Sequence, residues 1–234
     1  MPTADGLDYA LEGKKVRKTI TEMVIAAGRG HVGSAFSIVE TLLVLYKTIL
    51  KVDPKDPRWE DRDRLILSKG HGCLALYPIL AELGFFDRAE LLKYCKPDGI
   101  LGGHPEHHKI PGVEASTGAL GHGLSIGIGM ALAARMDGRG YGVYVILGDG
   151  ECDEGSIWEG ALSAAKHKLS NLTVIVDYNK QQSYGDVSEV LPLEPFADKW
   201  RAFGFDTAEA HMDRPQELEA LLKRPRGDKP RVVI

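Results

Sequence analysis

The sequence predicts an α/β fold, a parallel β-sheet flanked by helices on both faces, and two observations carry that prediction. Short apolar, β-rich runs recur at 64–68, at 141–147 (YGVYVIL), at 172–177 (LTVIVD) and from 231 to 234. Stretches with helical spacing or helical density lie between them. Strands that alternate with helices are joined by crossovers, so they pair in parallel and are covered on both sides.

Each element follows from its residues. From Gly13 to about Gly28 the apolar positions Val16, Ile20, Met23, Val24 and Ala27 recur at helical spacing, and Ile38 to Leu50 carries a denser apolar run that predicts a buried helix. Arg64-Leu65-Ile66-Leu67-Ser68 reads as a strand, Lys69-Gly70-His71-Gly72 as a tight turn, and Leu74 to Leu83 as a helix. Leu124 to Ala134, with glycines at 127 and 129, contains no GxGxxG frame at a strand-to-helix turn and reads as a tightly packed core helix rather than a dinucleotide loop. Tyr141 to Leu147 and Leu172 to Asp177 are strands separated by Trp158 to Leu169, and a further strand starts at Arg231 after Lys229-Pro230. With no fixed-period repeat and no long Gly- or Pro-rich stretch, residues 1–234 are expected to form a single domain. The strand at Val232-Val233-Ile234 ends without a polar cap, which is expected of a longer subunit truncated at its C-terminus.

Composition excludes several classes of function. A formal net charge of -4, from 33 acidic and 29 basic residues mixed along the chain, draws it neither to nucleic acid nor to an anionic membrane. Cys73, Cys95 and Cys152 are odd in number and form no CxxC pair, which argues against a disulfide framework or a zinc site and for a reducing cytoplasm. Met1 to Glu12 carries Asp5, Asp8 and Glu12 without an apolar core, and no later stretch approaches the roughly 18 uncharged apolar residues of a spanning helix.

The unusual residues collect beyond the carboxyl ends of two strands, where open α/β sheets bind ligands: Gly148-Asp149-Gly150 after one, Asn179 after the next. The glycines let the backbone turn sharply and approach an anion, while Asp149 offers the hard carboxylate oxygen that magnesium prefers and Asn179 adds a neutral amide oxygen. Mg²⁺ takes one or two charged protein ligands alongside phosphate oxygens, so this donor set suits a metal–diphosphate site. A GDG by itself is often only a turn; the Asn in register after the next strand favours the site.

The segment GDGECDEGSIWEGALSAAKHKLSNLTVIVDYN, with its Asn 30 residues after its Asp, resembles the thiamine-diphosphate signature. Within that superfamily the chain resembles transketolases from Lys14 to Ile234, through GHVGSAFS (30–37), LSKGHGCLALYPIL (67–80) and GGHPEHHKIPGVEASTGALGHGLSIGIGMALA (102–133). The resemblance implies Asp149, Asn179 and the Gln181 backbone carbonyl as metal ligands, with the Gly150 amide and His71 beside the diphosphate. It implies that Gly118 and Leu120 contact the aminopyrimidine and thiazolium, and that Glu154 and Glu159 lie at a cofactor-linking subunit interface. On the residues alone, Glu159 could be a solvated helix residue and Glu154 an acid favoured by a helix N-terminus.

A lone histidine is more often a surface or satisfied core residue than a catalyst. His31, His71 and His104 each sit beside glycine and each matches an active-site histidine of transketolases. His107, His108, His167 and His211 match nothing and are expected at the surface, and His122 stands where many relatives carry Gln. The resemblance implies ketol transfer from a ketose to an aldose. Removing the proton of the donor C3 hydroxyl suits an imidazole, for which His31 is the candidate with His71 nearby, and His104 should hydrogen-bond the C1 hydroxyl. In transketolases a glutamate needed by the pyrimidine ring comes from a second α/β domain, and this sequence stops before it. The expected partner is therefore a separate C-terminal subunit in an α2β2 assembly, with sugar or sugar phosphate substrates. Rival readings are a 1-deoxyxylulose-5-phosphate synthase, a 2-oxo acid dehydrogenase decarboxylase subunit, or a non-catalytic paralogue. The histidine trio argues against the first two, and intact Asp149, Asn179 and His31 against the third.

Overall fold

The computed structural model describes residues 7–234, so the part of the N-terminal reading that rests on residues 1–6 lies outside the described residues. Numbering α-helices of six or more residues and strands of three or more, the chain runs α1 (Tyr9–Ala27), α2 (Val39–Val44), β1 (Arg64–Leu67), α3 (Cys73–Leu83), α4 (Gly123–Met136), β2 (Val143–Gly148), α5 (Gly155–Lys166), β3 (Leu172–Asp177), α6 (Phe196–Ala202), β4 (Asp206–Ala208), α7 (Pro215–Lys223) and β5 (Arg231–Val233). It divides into two compact units. Unit 1 holds the described residues through Arg62, then Gly70–Gly118 and His211–Lys223; unit 2 holds Asp63–Lys69, Ala119–Ala210 and Arg224–Ile234.

Unit 1 is built from helices. In α1 the Asp8 side chain caps the N-terminus by accepting the Leu11 amide at 3.0 Å, and Gly28, in the left-handed region at φ 69°, returns its N–H to the Val24 carbonyl and stops the helix. Of the predicted stripe, Val16, Ile20 and Met23 are buried, while Val24 and Ala27 are half-buried. Arg17 donates to Glu40 of α2 from both terminal guanidinium nitrogens at 2.6 Å, and the Tyr9 hydroxyl donates to Glu219 of α7 at 2.7 Å. The helix expected over Ile38 to Leu50 is not uniform: after α2 the chain makes a π-turn, Leu45–Ile49, closed by the Leu50 amide on the Leu45 carbonyl at 2.8 Å. The Thr48 hydroxyl also donates to the Val44 carbonyl, at 2.8 Å. In α3 every residue from Cys73 to Ala81 is buried, as its unbroken apolar sequence requires.

Unit 2 is organised by a five-stranded, all-parallel sheet in the order β1-β2-β3-β5-β4. Every residue of the interior strand β2 is buried, which accounts for its continuous apolar run. Helix α4 lies so close to the sheet that a Cβ on Gly127 would fall 2.5 Å from a Val145 methyl, the tight packing expected of that glycine-bearing helix. Helix α5 starts at Gly155, three residues before the expected Trp158, and its Gly160 faces Leu124 and Ile128 of α4. Strand β4, with three half-buried residues, carries too weak a pattern to be read from sequence. Gly148 at the end of β2 pairs in register with Asp177 at the end of β3, so Asp149 and Asn179 leave the sheet side by side. Among the described residues no helix is long and apolar enough to cross a membrane.

Candidate cofactor and substrate sites

At the strand ends of unit 2, the buried Asp149 accepts the Gly150 amide on Oδ1 and the Lys180 amide on Oδ2, both at 2.8 Å. Asn179 Oδ1 accepts the Gln181 amide at 2.9 Å, which folds the chain after β3 into an Asx turn. Gln181 itself is exposed and begins a two-residue antiparallel ladder with Gly185–Asp186. A Cβ on Gly150 would lie 2.9 Å from the Gln182 amide carbon, so a larger residue there would displace the Gln182 side chain. Burial, the largest influence, raises the Asp149 pKa above the ordinary aspartate value; a bound cation would favour the charged form instead. The carboxylate and amide oxygens keep lone pairs beyond these bonds, and hard oxygen donors of this kind fit a divalent cation carrying a diphosphate. Leu120 is half-buried, while Glu154 and Glu159 are exposed, the former at the N-cap of α5 without a side-chain cap bond.

Sequence reasoning missed the polar network beneath this turn. Glu151, 2% exposed, accepts the Ser68 hydroxyl and, at 2.9 Å, the Gly121 amide on Oε1, and the Gly148 amide at 3.2 Å on Oε2. One carboxylate thus ties the end of β1, the loop before α4 and the end of β2. Lys69, 2% exposed, pairs with Asp177 at 2.6 Å. The only signal in the sequence was an acid directly after GDG and a lysine directly before GHG, and neither pattern distinguishes a buried ion from a solvated one.

In unit 1 the three singled-out histidines come together. The His31 ring lies 5.8 Å from that of His71 and 6.4 Å from that of His104, centroid to centroid. His31 occupies the N-cap of the short helix Val32–Phe36, His71 sits in the 3₁₀ turn Gly70–Gly72 rather than in an open loop, and His104 lies in the loop after Leu101. Gly118, at φ 142°, runs against the last of these: a Cβ there would sit 3.0 Å from the His104 ring. The Cys73 thiol and the Tyr77 hydroxyl donate to the Gly103 and Gly102 carbonyls at 3.2 and 2.9 Å, fixing the backbone that presents His104. His107, His108, His122, His167 and His211 are all exposed. His31 and His104 also line a groove of about 670 Å³ together with Arg29, Lys96 and Lys109.

A parallel sheet whose strand ends gather Asp149 and Asn179 is the architecture of a cofactor-diphosphate-binding α/β protein. Residues 12–234 match the transketolase thiamine diphosphate binding domain, and the chain belongs to that family. It is 41% identical over 231 residues to the 6-deoxy-6-sulfo-D-fructose transketolase subunit SqwG of Clostridium sp. (strain MSTE9), covering 97% of this chain and 84% of that one. It is 44% identical over 208 residues to an apulose-4-phosphate transketolase subunit from Phocaeicola vulgatus, covering 89% and 74%. Among solved structures, transketolase from Leishmania mexicana superposes with a TM-score of 0.88 at 28% identity over 97% of this chain. The chain spans 36% of that structure's length.

Proposed function

We propose that this chain is the diphosphate-side subunit of a two-chain transketolase, a single module over residues 1–234 that works in the cytoplasm. It moves a two-carbon ketol unit from a ketose to an aldose with thiamine diphosphate and Mg²⁺, in an α2β2 complex with a C-terminal subunit that carries the pyrimidine-side domain. The grouping of His31, His71 and His104 carries this reading, because a polyhydroxylated donor offers several hydroxyls for imidazoles to bond, an array that a simple 2-oxo acid lacks. The subunit names of the two relatives support the division between chains.

Thiamine diphosphate, when bound, supplies the nucleophilic carbon and electron sink needed to break a bond next to a carbonyl. The residues of this chain bind, orient and move protons. Asp149, Asn179 and the Gln181 carbonyl would hold the cation, the Gly150 amide and His71 would face the diphosphate, and Gly118 and Leu120 would contact the rings. Glu154 and Glu159 would meet the partner subunit. His31 accepts the proton of the donor C3 hydroxyl as the C2–C3 bond breaks, and His104 holds the C1 hydroxyl. Steady-state kinetics of the reconstituted enzyme with a ketose and with hydroxypyruvate, which lacks the C3 carbinol, separate these roles. His31→Ala should impair mainly the ketose reaction and His104→Ala both; equal loss of both activities in the His31 variant would remove it as the proton acceptor.

A further inference from the structure

The strand ends of unit 2 hold a buried ion pair that neither cation binding nor proton transfer uses. Lys69, 2% exposed, follows β1, and its stem runs past Gly148, where a Cβ would lie 3.7 Å from the lysine Cδ. Its ammonium meets Asp177, the last residue of β3, at 2.6 Å. The same Asp177 oxygen accepts the Asn179 amide nitrogen at 3.4 Å, while Asn179 Oδ1 takes the Gln181 amide at 2.9 Å, so the pair borders one proposed cation ligand. It borders the other as well. After burial and the two backbone amides, the charges that act on the Asp149 carboxyl are those of Asp177, which raises its pKa, and of Lys69, which lowers it. Glu151, the third acid here, has its oxygens engaged by Ser68, Gly121 and Gly148.

A buried lysine next to a cation site works against the cation, and burying it costs free energy unless it is paired. What it does here is cancel the charge of Asp177, leaving Asp149 as the charged donor. One carboxylate with neutral oxygens holds Mg²⁺ weakly, because this ion keeps its waters until phosphate oxygens complete its shell. Among the described residues no three His, Cys, Asp or Glu side chains gather into a metal-holding group. Resting on the metal–diphosphate reading of Asp149 and Asn179, we propose that Lys69 is a positioning residue that acts through Asp177, the two forming a charge-cancelling pair that keeps the site from filling with cation alone or diphosphate alone. With Asp177 cancelled, a free divalent cation is held weakly. With Lys69 cancelled, so is a diphosphate that brings no cation. Only the two together neutralise each other and the site.

Calorimetry on the reconstituted complex measures three affinities: for Mg²⁺ alone, for thiamine diphosphate alone, and for thiamine diphosphate at saturating Mg²⁺. A unit charge acting on a multivalent ion through a few ångströms of protein is worth about tenfold in affinity or more. Lys69→Met releases the Asp177 charge and should tighten Mg²⁺ alone by about tenfold while weakening thiamine diphosphate alone by a similar factor. Asp177→Asn releases the ammonium and should shift the two ligands the opposite way. Lys69→Arg keeps the charge and should keep the wild-type pattern. The double variant Lys69→Met/Asp177→Asn is neutral at the pair, so both single-ligand affinities should return toward wild type, and it can be measured even if a single variant with an uncompensated buried charge does not fold. A merely structural pair would weaken both ligands together. If either single variant or the double variant does that, or if Lys69→Met changes neither affinity, the assignment of the pair is overturned and the metal–diphosphate reading stands. If the wild-type complex binds no thiamine diphosphate at saturating Mg²⁺, both fall.

Discussion

Replacing Glu151 by glutamine exchanges one oxygen for an amide nitrogen at a place where every neighbour is a donor. Its carboxylate receives the Ser68 hydroxyl, the Gly121 amide and the Gly148 amide at 2% exposure. Glutamine keeps one acceptor, so at least one backbone N–H must face an NH₂ group. A lost hydrogen bond to a charged acceptor costs about 1.5–3 kcal/mol and a stranded buried donor about 1–3 kcal/mol. An opposing effect is that burial, the largest influence, already lifts the Glu151 pKa above the ordinary glutamate value, so an uncharged amide is relieved of part of that desolvation. The expected loss is therefore about 2 kcal/mol, at the lower end. For a carboxyl whose folded pKa is raised, the stabilising contribution is complete below the unfolded value and is lost as pH rises through the folded one. The deficit of Glu151→Gln should accordingly be larger near pH 4 than near pH 8. Urea unfolding of both proteins across this range, with m unchanged, measures it. A deficit below about 0.5 kcal/mol at every pH, or one that grows with pH, would refute the claim that this carboxylate fastens the strand ends.

Two other outcomes test the sites separately. Asp149→Asn and Asn179→Ala should abolish Mg²⁺-dependent cofactor binding in calorimetry on the reconstituted complex, and unchanged affinity in both would remove the metal assignment. Asparagine is the milder replacement because Asp149 accepts two backbone amides: alanine would strand both and asparagine one. Iodoacetamide at pH 8 should modify half-buried Cys95, whereas Cys152 is buried and the Cys73 thiol is pushed up to about 12 by burial. Peptide mapping that finds Cys73 alkylated first in the folded protein would contradict the packing around His104.

Much of the scaffold was legible because three of its strands are mainly apolar. The runs at 64–67, 143–148 and 172–177 owe that composition to their position in the sheet, and Gly127 to its contact with Val145. Where a weak pattern is stabilised by tertiary pairing, sequence reasoning failed: β4 has only half-buried residues and exists through its ladder with β5. The π-turn after Val44 has no mark in the apolar run that predicts one continuous helix. At the sites, Asp149 and Asn179 stood out because glycine and strand ends flank them. Glu151, Lys69, Arg29, Lys96 and Lys109 did not, since an acid or base in a string of residues carries no mark of whether it faces water, a backbone amide or a groove.

The division of labour between two chains is the most exposed part of the proposal, and ketol transfer by the purified chain, alone and mixed with its candidate C-terminal partner, tests it most directly. With saturating thiamine diphosphate and Mg²⁺, the chain alone should give no turnover and the mixture should give turnover that saturates with partner concentration. Robust transfer by the isolated chain would contradict it.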